Sequence, residues 1–200
     1  MRIIAGKHRG RRIQVPAQGV RPTADRAREA VFNILEHGIP WPGFSDCRVL
    51  DLFAGTGAYG LESLSRGAAF ATFVDFDPAA LLGIRRNAAA LGEARSIVLL
   101  KLDATRLPPP ARIVKAPCTI AFLDPPYESG FAVPALQGAA SHGWIQNGAL
   151  AVVEVGAREP LAPPLGYGVE DERIYGAALI VVLRFRYKLN SSVAHKHMYG

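Results

Sequence analysis

Apolar residues follow two different periods along the chain, and from Arg48 onward the periods alternate. Val49-Leu50-Asp51-Leu52-Phe53, Ala71-Thr72-Phe73-Val74-Asp75, residues 97–102, Thr119-Ile120-Ala121-Phe122-Leu123 and residues 149–155 are short apolar runs. Runs of that length with β-branched and aromatic residues predict strands buried on both faces of a parallel sheet. Between them, residues 59–66, 78–91 and 130–142 carry helical spacing, with Pro78 suited to a first helical turn. After a Pro/Gly-rich loop, residues 173–175 and 178–187 read as two last strands close enough to pair as a hairpin. The alternation predicts a doubly wound α/β fold with a mostly parallel, seven-stranded sheet and an antiparallel final hairpin. Ahead of it, Val20-Arg21-Pro22-Thr23 looks like an extended approach to a helix with Thr23 as its cap. Ala27, Ala30, Val31, Ile34 and Leu35 continue that helix to about Glu36, and Gly38, Pro40, Pro42 and Gly43 end it.

The first residues have a different character. Ile3, Ile4, Ile13 and Val15 are apolar, with Gly6 and Gly10 between them, which predicts a short hairpin around the basic loop Lys7-His8-Arg9-Gly10-Arg11-Arg12. The expected organisation is a basic arm over residues 1–22, one α/β domain over 23–188, and a polar, disordered tail over 189–200.

Charge sharpens that division. The net charge is +6. Residues 1–30 hold eight basic side chains against Asp25 and Glu29, so the remaining residues sum to zero. A neutral body with a basic extension fits a catalytic domain that carries a phosphate-binding arm, with Arg2, Lys7, Arg9, Arg11, Arg12 and Arg21 as the candidate contacts to a polyanion. The alternative is an arm that only aids solubility. Two hundred residues, half of them hydrophobic, suffice for one sizeable core. No apolar stretch approaches a membrane span, and the charged start lacks a secretory h-region, so a cytoplasmic protein is expected. Cys47 and Cys118 are far apart with no CxxC pattern, and no metal site is expected.

Candidate chemistry begins at Asp124-Pro125-Pro126-Tyr127, directly after the fourth strand. Two prolines cannot continue a strand, so the chain must leave the sheet as a stiff corner. The corner gathers a carboxylate, backbone carbonyls and a ring at the sheet's carboxyl edge, where open α/β sheets bind ligands. Acceptors beside a ring suit a planar group bearing an NH2, such as a nucleobase. An ordinary tight turn would use the same residues.

Gly55-Thr56-Gly57-Ala58-Tyr59-Gly60 follows the first strand and precedes a helix, and Asp75 ends the second strand 18 residues after Gly57. Both features fit a dinucleotide, and both fit S-adenosylmethionine. Asp51, four residues before Gly55, separates the two. A carboxylate there repels a pyrophosphate and complements an ammonium and a sulfonium. The loop residues Phe53, Ala54, Gly55, Thr56 and Gly57 join Asp51 and Asp75 as candidate cofactor contacts. Asp103-Ala104 ends the third strand, where a carboxylate can accept from the adenine amino group or simply cap a short helix. Asp77 is similarly placed to cap the helix at Pro78.

These residues resemble a known family. Val49-Leu50-Asp51-Leu52-Phe53-Ala54-Gly55-Thr56-Gly57 and Gly60-Leu61-Glu62-Ser63-Leu64-Ser65-Arg66-Gly67-Ala68 are similar to the bacterial 16S rRNA guanine-N2 methyltransferases. Arg2-Ile3-Ile4-Ala5-Gly6, Arg21-Pro22-Thr23, Asp25-Arg26, Arg28-Glu29 and the Asp-Pro-Pro-Tyr corner share that resemblance, which runs from residue 2 to about residue 187. Asp75 stands where the family more often has glutamate, and the tail after Tyr187 has no family counterpart. The resemblance implies a Rossmann-like class I methyltransferase fold. It implies methyl transfer from S-adenosylmethionine, leaving S-adenosylhomocysteine, to the exocyclic N2 of guanine 966 in 16S rRNA of the small ribosomal subunit. It also implies catalysis by Asp124, Pro125, Pro126 and Tyr127. Apart from the resemblance, a monomer with no membrane partner is expected.

Three other readings stay open on the sequence. The same corner serves adenine-N6 and cytosine-N4 methyltransferases. Protein-glutamine methyltransferases resemble it with Asn at the position of Asp124. A non-catalytic RNA-binding or assembly module would keep the fold, but it has no physical need of Asp51, Gly55, Gly57, Asp75 and Asp124 together.

Overall fold

The protein's structure, a computed structural model, describes residues 1–15 and 22–187. Seven strands form one sheet: β1 (Arg48–Leu52), β2 (Phe70–Asp75), β3 (Ile97–Lys101), β4 (Cys118–Leu123), β5 (Ile145–Gly156), β6 (Tyr167–Tyr175) and β7 (Ala178–Phe185). Their spatial order is β3-β2-β1-β4-β5-β7-β6. The first five pair in parallel, and β7 runs antiparallel to both β5 and β6. Four helices complete the fold: α1 (Pro22–Asn33), α2 (Ala58–Ser65), α3 (Pro78–Leu91) and α4 (Ala132–Ser141). The sheet is therefore the doubly wound, mostly parallel one that the alternating pattern predicts.

Side chains leave alternate faces of each strand, so the sheet divides the core into two layers. One contains Val49, Phe73, Phe122 and Val152 together with Val31, Phe32, Leu61 and Ile84 from α1, α2 and α3. The other contains Leu50, Leu52, Leu123 and Val153 with Ala135, Leu136 and Trp144. Order reverses between β1 and β4, since β1 pairs with β2 on one side and β4 on the other. Such a reversal opens a crevice at the carboxyl ends of the strands.

Some boundaries differ from the sequence expectation. Helix α1 begins at Pro22, ahead of the predicted cap Thr23, and a π-type turn carries it on from Ile34 to Gly38. Strand β6 starts at Tyr167, although only its last three residues read as strand. Tyr167-Gly168-Val169-Glu170-Asp171-Glu172 is polar because β6 is an edge strand paired only with β7. The N-terminal arm closes through a single antiparallel bridge, Arg2 to Arg12, around a 3-10 turn at Gly6–His8. Ile3 and Ile13 sink into the core on the α1–α3 side. Arg21 and the 189–200 tail lie outside the described residues. Among the described residues, no helix is long and apolar enough to cross a membrane.

Candidate active site

The carboxyl ends of the strands frame a cleft of about 1010 Å3. Of the residues singled out in the sequence, Asp51, Phe53, Ala54, Gly55, Thr56, Asp75, Asp103, Ala104 and the whole Asp124–Tyr127 corner line it. Gly57 serves the loop instead. It caps α2 at φ +74°, and a Cβ there would lie 2.8 Å from the Ile84 side chain.

Each acidic side chain is fixed by a local device. Asp51 is buried in β1, and its Oδ2 accepts from the Gly60 N–H at 2.9 Å in the first turn of α2. It braces the glycine loop from beneath while facing the cleft. Burial pushes its carboxyl well up, and the charges of Asp124 and Asp75 push the same way. Asp75 accepts from Gly55 N–H at 2.7 Å and from Asp77 N–H at 2.8 Å, so the end of β2 holds the loop from the side. Asp77 caps α3 through Ala79 N–H at 2.8 Å. Asp103 accepts from the Thr105 N–H at 2.9 Å and hydroxyl at 2.7 Å, capping a 3-10 turn at Ala104–Arg106. Those hydrogen bonds hold its carboxyl below the usual range. The capping role considered for Asp103 is thus present, on a carboxylate that still faces the cleft.

Strand β4 ends at Leu123, and the corner follows. Asp124 is reached by solvent through the cleft, but protein surrounds it on its other sides. That desolvation, then the charge of Glu154, pushes its carboxyl up to about 7. Tyr127 is 39% exposed, and its hydroxyl donates to Glu154 Oε1 at 2.9 Å. Glu128 takes a left-handed φ of +59°. Its N–H donates to Glu159 Oε2 at 2.7 Å, which also accepts from Gly156 N–H at 3.2 Å, so the loop after β5 braces the corner.

Phe53 is a second strained position. Its φ of +56° is rarely adopted by a bulky residue and costs about 1–3 kcal/mol. The strain aims its ring across the cleft wall, where it stacks on Phe131 with centroids 6.3 Å apart and planes 13° apart.

Among the lining residues not singled out as candidate contacts are Arg28, Tyr59, Phe131 and Glu154. Tyr59 stacks on Phe122 at 4.9 Å, and its hydroxyl donates to Glu154 Oε2 at 3.1 Å. Burial, with the charge of Glu154 beside it, keeps that phenol protonated. Arg28 is buried on α1 and donates through Nη2 to the Arg2 carbonyl at 2.7 Å, which ties the arm to the cleft. Glu154 had a readable signal, because it is a lone acid near the end of an apolar strand, as Asp51 and Asp75 are.

The arm lies on α2 and α3. Buried Glu62 accepts from Ile4 N–H at 2.7 Å and Ala5 N–H at 3.0 Å. Asn87 exchanges hydrogen bonds with the Gln14 backbone, and Arg11 donates to the Ala90 carbonyl at 2.5 Å. Lys7 pairs with Glu93 at 2.7 Å, joined there by His8. Arg2, Arg9, Arg11 and Arg12 are exposed.

The walls fit S-adenosylmethionine. Five carboxylates face one cleft, which disfavours a pyrophosphate and complements an ammonium and a sulfonium. Exposed Phe76, directly after Asp75, adds an apolar surface for a flat ring.

Comparison with known proteins agrees with this architecture. The family model described as "Conserved hypothetical protein 95" matches residues 1–184. The chain is 35% identical over 178 residues to ribosomal RNA small subunit methyltransferase D of Escherichia coli K12, covering 88% of this chain and 85% of that protein. It is 34% identical over 181 residues to the Haemophilus influenzae protein of the same name, covering 88% and 89%. The solved structure of the putative methyltransferase yhhF from Escherichia coli superposes with a TM-score of 0.78 at 30% identity, covering 94% of this chain and 99% of that one. The chain therefore belongs to the family described as conserved hypothetical protein 95, together with the ribosomal RNA small subunit methyltransferase D proteins.

Proposed function

We propose that this protein methylates the exocyclic N2 of one guanine, guanine 966, in 16S rRNA of the small ribosomal subunit. The reading is supported most by one observation: Asp124, Pro125, Pro126 and Tyr127 form a single wall of the cleft that Asp51, Gly55 and Asp75 also line. The amine-holding corner and the cofactor-holding loop thus open onto one space.

Bound S-adenosylmethionine supplies a methyl group made electrophilic by its sulfonium. The chain's residues do the rest by alignment and fixed charge. Asp51 and the glycine loop hold the methionine end, Asp75 meets the ribose hydroxyls, and Asp103 faces the adenine amine. An aromatic amine is a poor nucleophile, because its lone pair is delocalised into the ring. Hydrogen bonds from the NH2 to the Asp124 carboxylate and the Pro125 carbonyl favour a pyramidal nitrogen and direct its lone pair at the methyl carbon. As the N–C bond forms and the C–S bond breaks, the nitrogen becomes acidic, and Asp124 takes its proton. Tyr127 stacks on the base, which must leave any helical stack to enter, a contact worth about 1–3 kcal/mol. Arg2, Lys7, Arg9, Arg11, Arg12 and Arg21 hold the RNA backbone.

The test is Asp124→Ala. This variant binds S-adenosylmethionine with near wild-type affinity and loses turnover on unmodified small subunits. Near wild-type turnover would contradict the role given to Asp124.

A further inference from the structure

We infer that Glu154 selects guanine over the other amino-bearing bases by accepting from the base N1–H and sharing with the Pro125 carbonyl the N2–H beside it, leaving the second N2–H to Asp124. The inference deepens the guanine-N2 reading and rests on it.

Position comes first. Leu123 of β4 pairs with Val153 of β5, so Asp124 and Glu154 occupy the next level on neighbouring parallel strands, about 4.8 Å apart. Two residues back, Phe122 and Val152 both belong to the α1–α3 layer, and alternation sends Asp124 and Glu154 to that same face. Both line the cleft. The charge of Glu154 is felt at Asp124, whose carboxyl is pushed up by it after burial.

Hydrogen-bond capacity comes second. A carboxylate offers about four lone-pair sites, two on each oxygen. Tyr59 donates to Oε2 at 3.1 Å and Tyr127 to Oε1 at 2.9 Å. One site remains on each oxygen, and the two phenols fix the plane in which those sites lie. Two parallel acceptors on one carboxylate match a pair of adjacent, parallel donors.

Guanine is the amino-bearing base with that pattern, N1–H beside N2–H2. Adenine and cytosine place a ring-nitrogen lone pair beside their amine. A fixed carboxylate repels that lone pair and leaves one of its own sites unfilled, a mismatch that sites built around hydrogen bonds reject strongly. The Asp-Pro-Pro-Tyr corner accepts any aromatic amine, so discrimination must come from a neighbour. Glu154 is the carboxylate at the right level to supply it.

The experiment compares small subunits whose target position carries guanine or 2-aminopurine, which keeps the 2-amino group but has an unprotonated N1. Wild type favours guanine in kcat/KM by about 100-fold, the scale of a charged hydrogen bond lost and a lone pair opposed. Glu154→Gln can turn an N–H toward N1, so its preference falls below about tenfold, chiefly through a slower guanine reaction. An unchanged ratio overturns the inference. Where Glu154→Gln turns over too slowly, the ratio of dissociation constants for the two subunits with S-adenosylhomocysteine present is read instead, and equal weakening overturns the inference. Absence of guanine methylation by wild type would instead defeat the underlying reading, whatever Glu154 does.

Discussion

Asp124 and Glu154 stand level with each other on adjacent parallel strands, one residue beyond the paired Leu123 and Val153. The charge of Glu154 acts on Asp124 at that separation and sets a pH dependence. Asp124 can take the substrate amine's proton, and accepts most strongly from it, only when ionised, and burial with the Glu154 charge raises it to about 7. Raised acids are protonated below that value, so kcat/KM should fall on the acid side of pH 7, about tenfold per unit. Glu154→Gln removes one raising charge, and the limb should move to lower pH. A pH profile of kcat/KM for both proteins checks this, and a limb that stays in place contradicts the coupling.

Asp51 has two separable jobs. It accepts from the buried Gly60 N–H and lines the cleft, where a bound cation would favour its charged form. Asp51→Asn keeps a carbonyl for Gly60 and discards the charge. Its melting temperature should stay near wild type while S-adenosylmethionine affinity, measured by calorimetry, falls about tenfold or more. Asp51→Ala also strands the Gly60 N–H and should lose about 1–3 kcal/mol of stability. Unchanged affinity in Asp51→Asn would leave Asp51 as a brace only.

Gly60 is required by space. A Cβ there would sit 2.3 Å from Phe73 Cε1, a ring buried in the sheet, and 3.2 Å from Asp51 Oδ2. Gly60→Ala should destabilise the protein by about 1–3 kcal/mol through overpacking, read by urea denaturation. A wild-type midpoint would show that α2 can shift freely away from β2.

How much of this was readable in the sequence depends on what covers each residue. Strands β1, β2, β4 and the 149–155 part of β5 were legible because both faces are largely buried, so their runs are nearly all apolar; β3, a half-buried edge strand, still reads through Ile97-Val98-Leu99-Leu100. Asp77 and Asp103 act within two residues of themselves, and local capping chemistry is visible in sequence, whereas Asp75 also holds Gly55 from 20 residues away. Glu154 lay unremarked inside the fifth apolar run. Its meaning needs β5 beside β4, a pairing across a crossover that no local pattern encodes. Glu62 and Arg28 stood in the sequence only as members of family-like stretches. They are buried because the arm lies over them, with Glu62 accepting from Ile4 and Ala5 and Arg28 donating to Arg2. Gly57 read as a cofactor contact, and the structure adds a packing reason for glycine there, the close approach of Ile84.

The docked arm leaves Arg9, Arg11 and Arg12 exposed. Replacing the three with alanine should weaken RNA binding and reduce the slope of log K against log salt by up to about 2–3. The melting temperature should change little, since Ile3 and Ile13 still anchor the arm. Titrations at several salt concentrations check this, and an unchanged slope would return the arm to a solubility role.

The most direct measurement is mass mapping of rRNA after unmodified small subunits react with the protein and labelled S-adenosylmethionine. The account predicts a single labelled methyl on N2 of guanine 966, absent with Asp124→Ala although that variant still binds the cofactor. A methyl on an adenine, on a different atom of guanine or on ribosomal protein would contradict it.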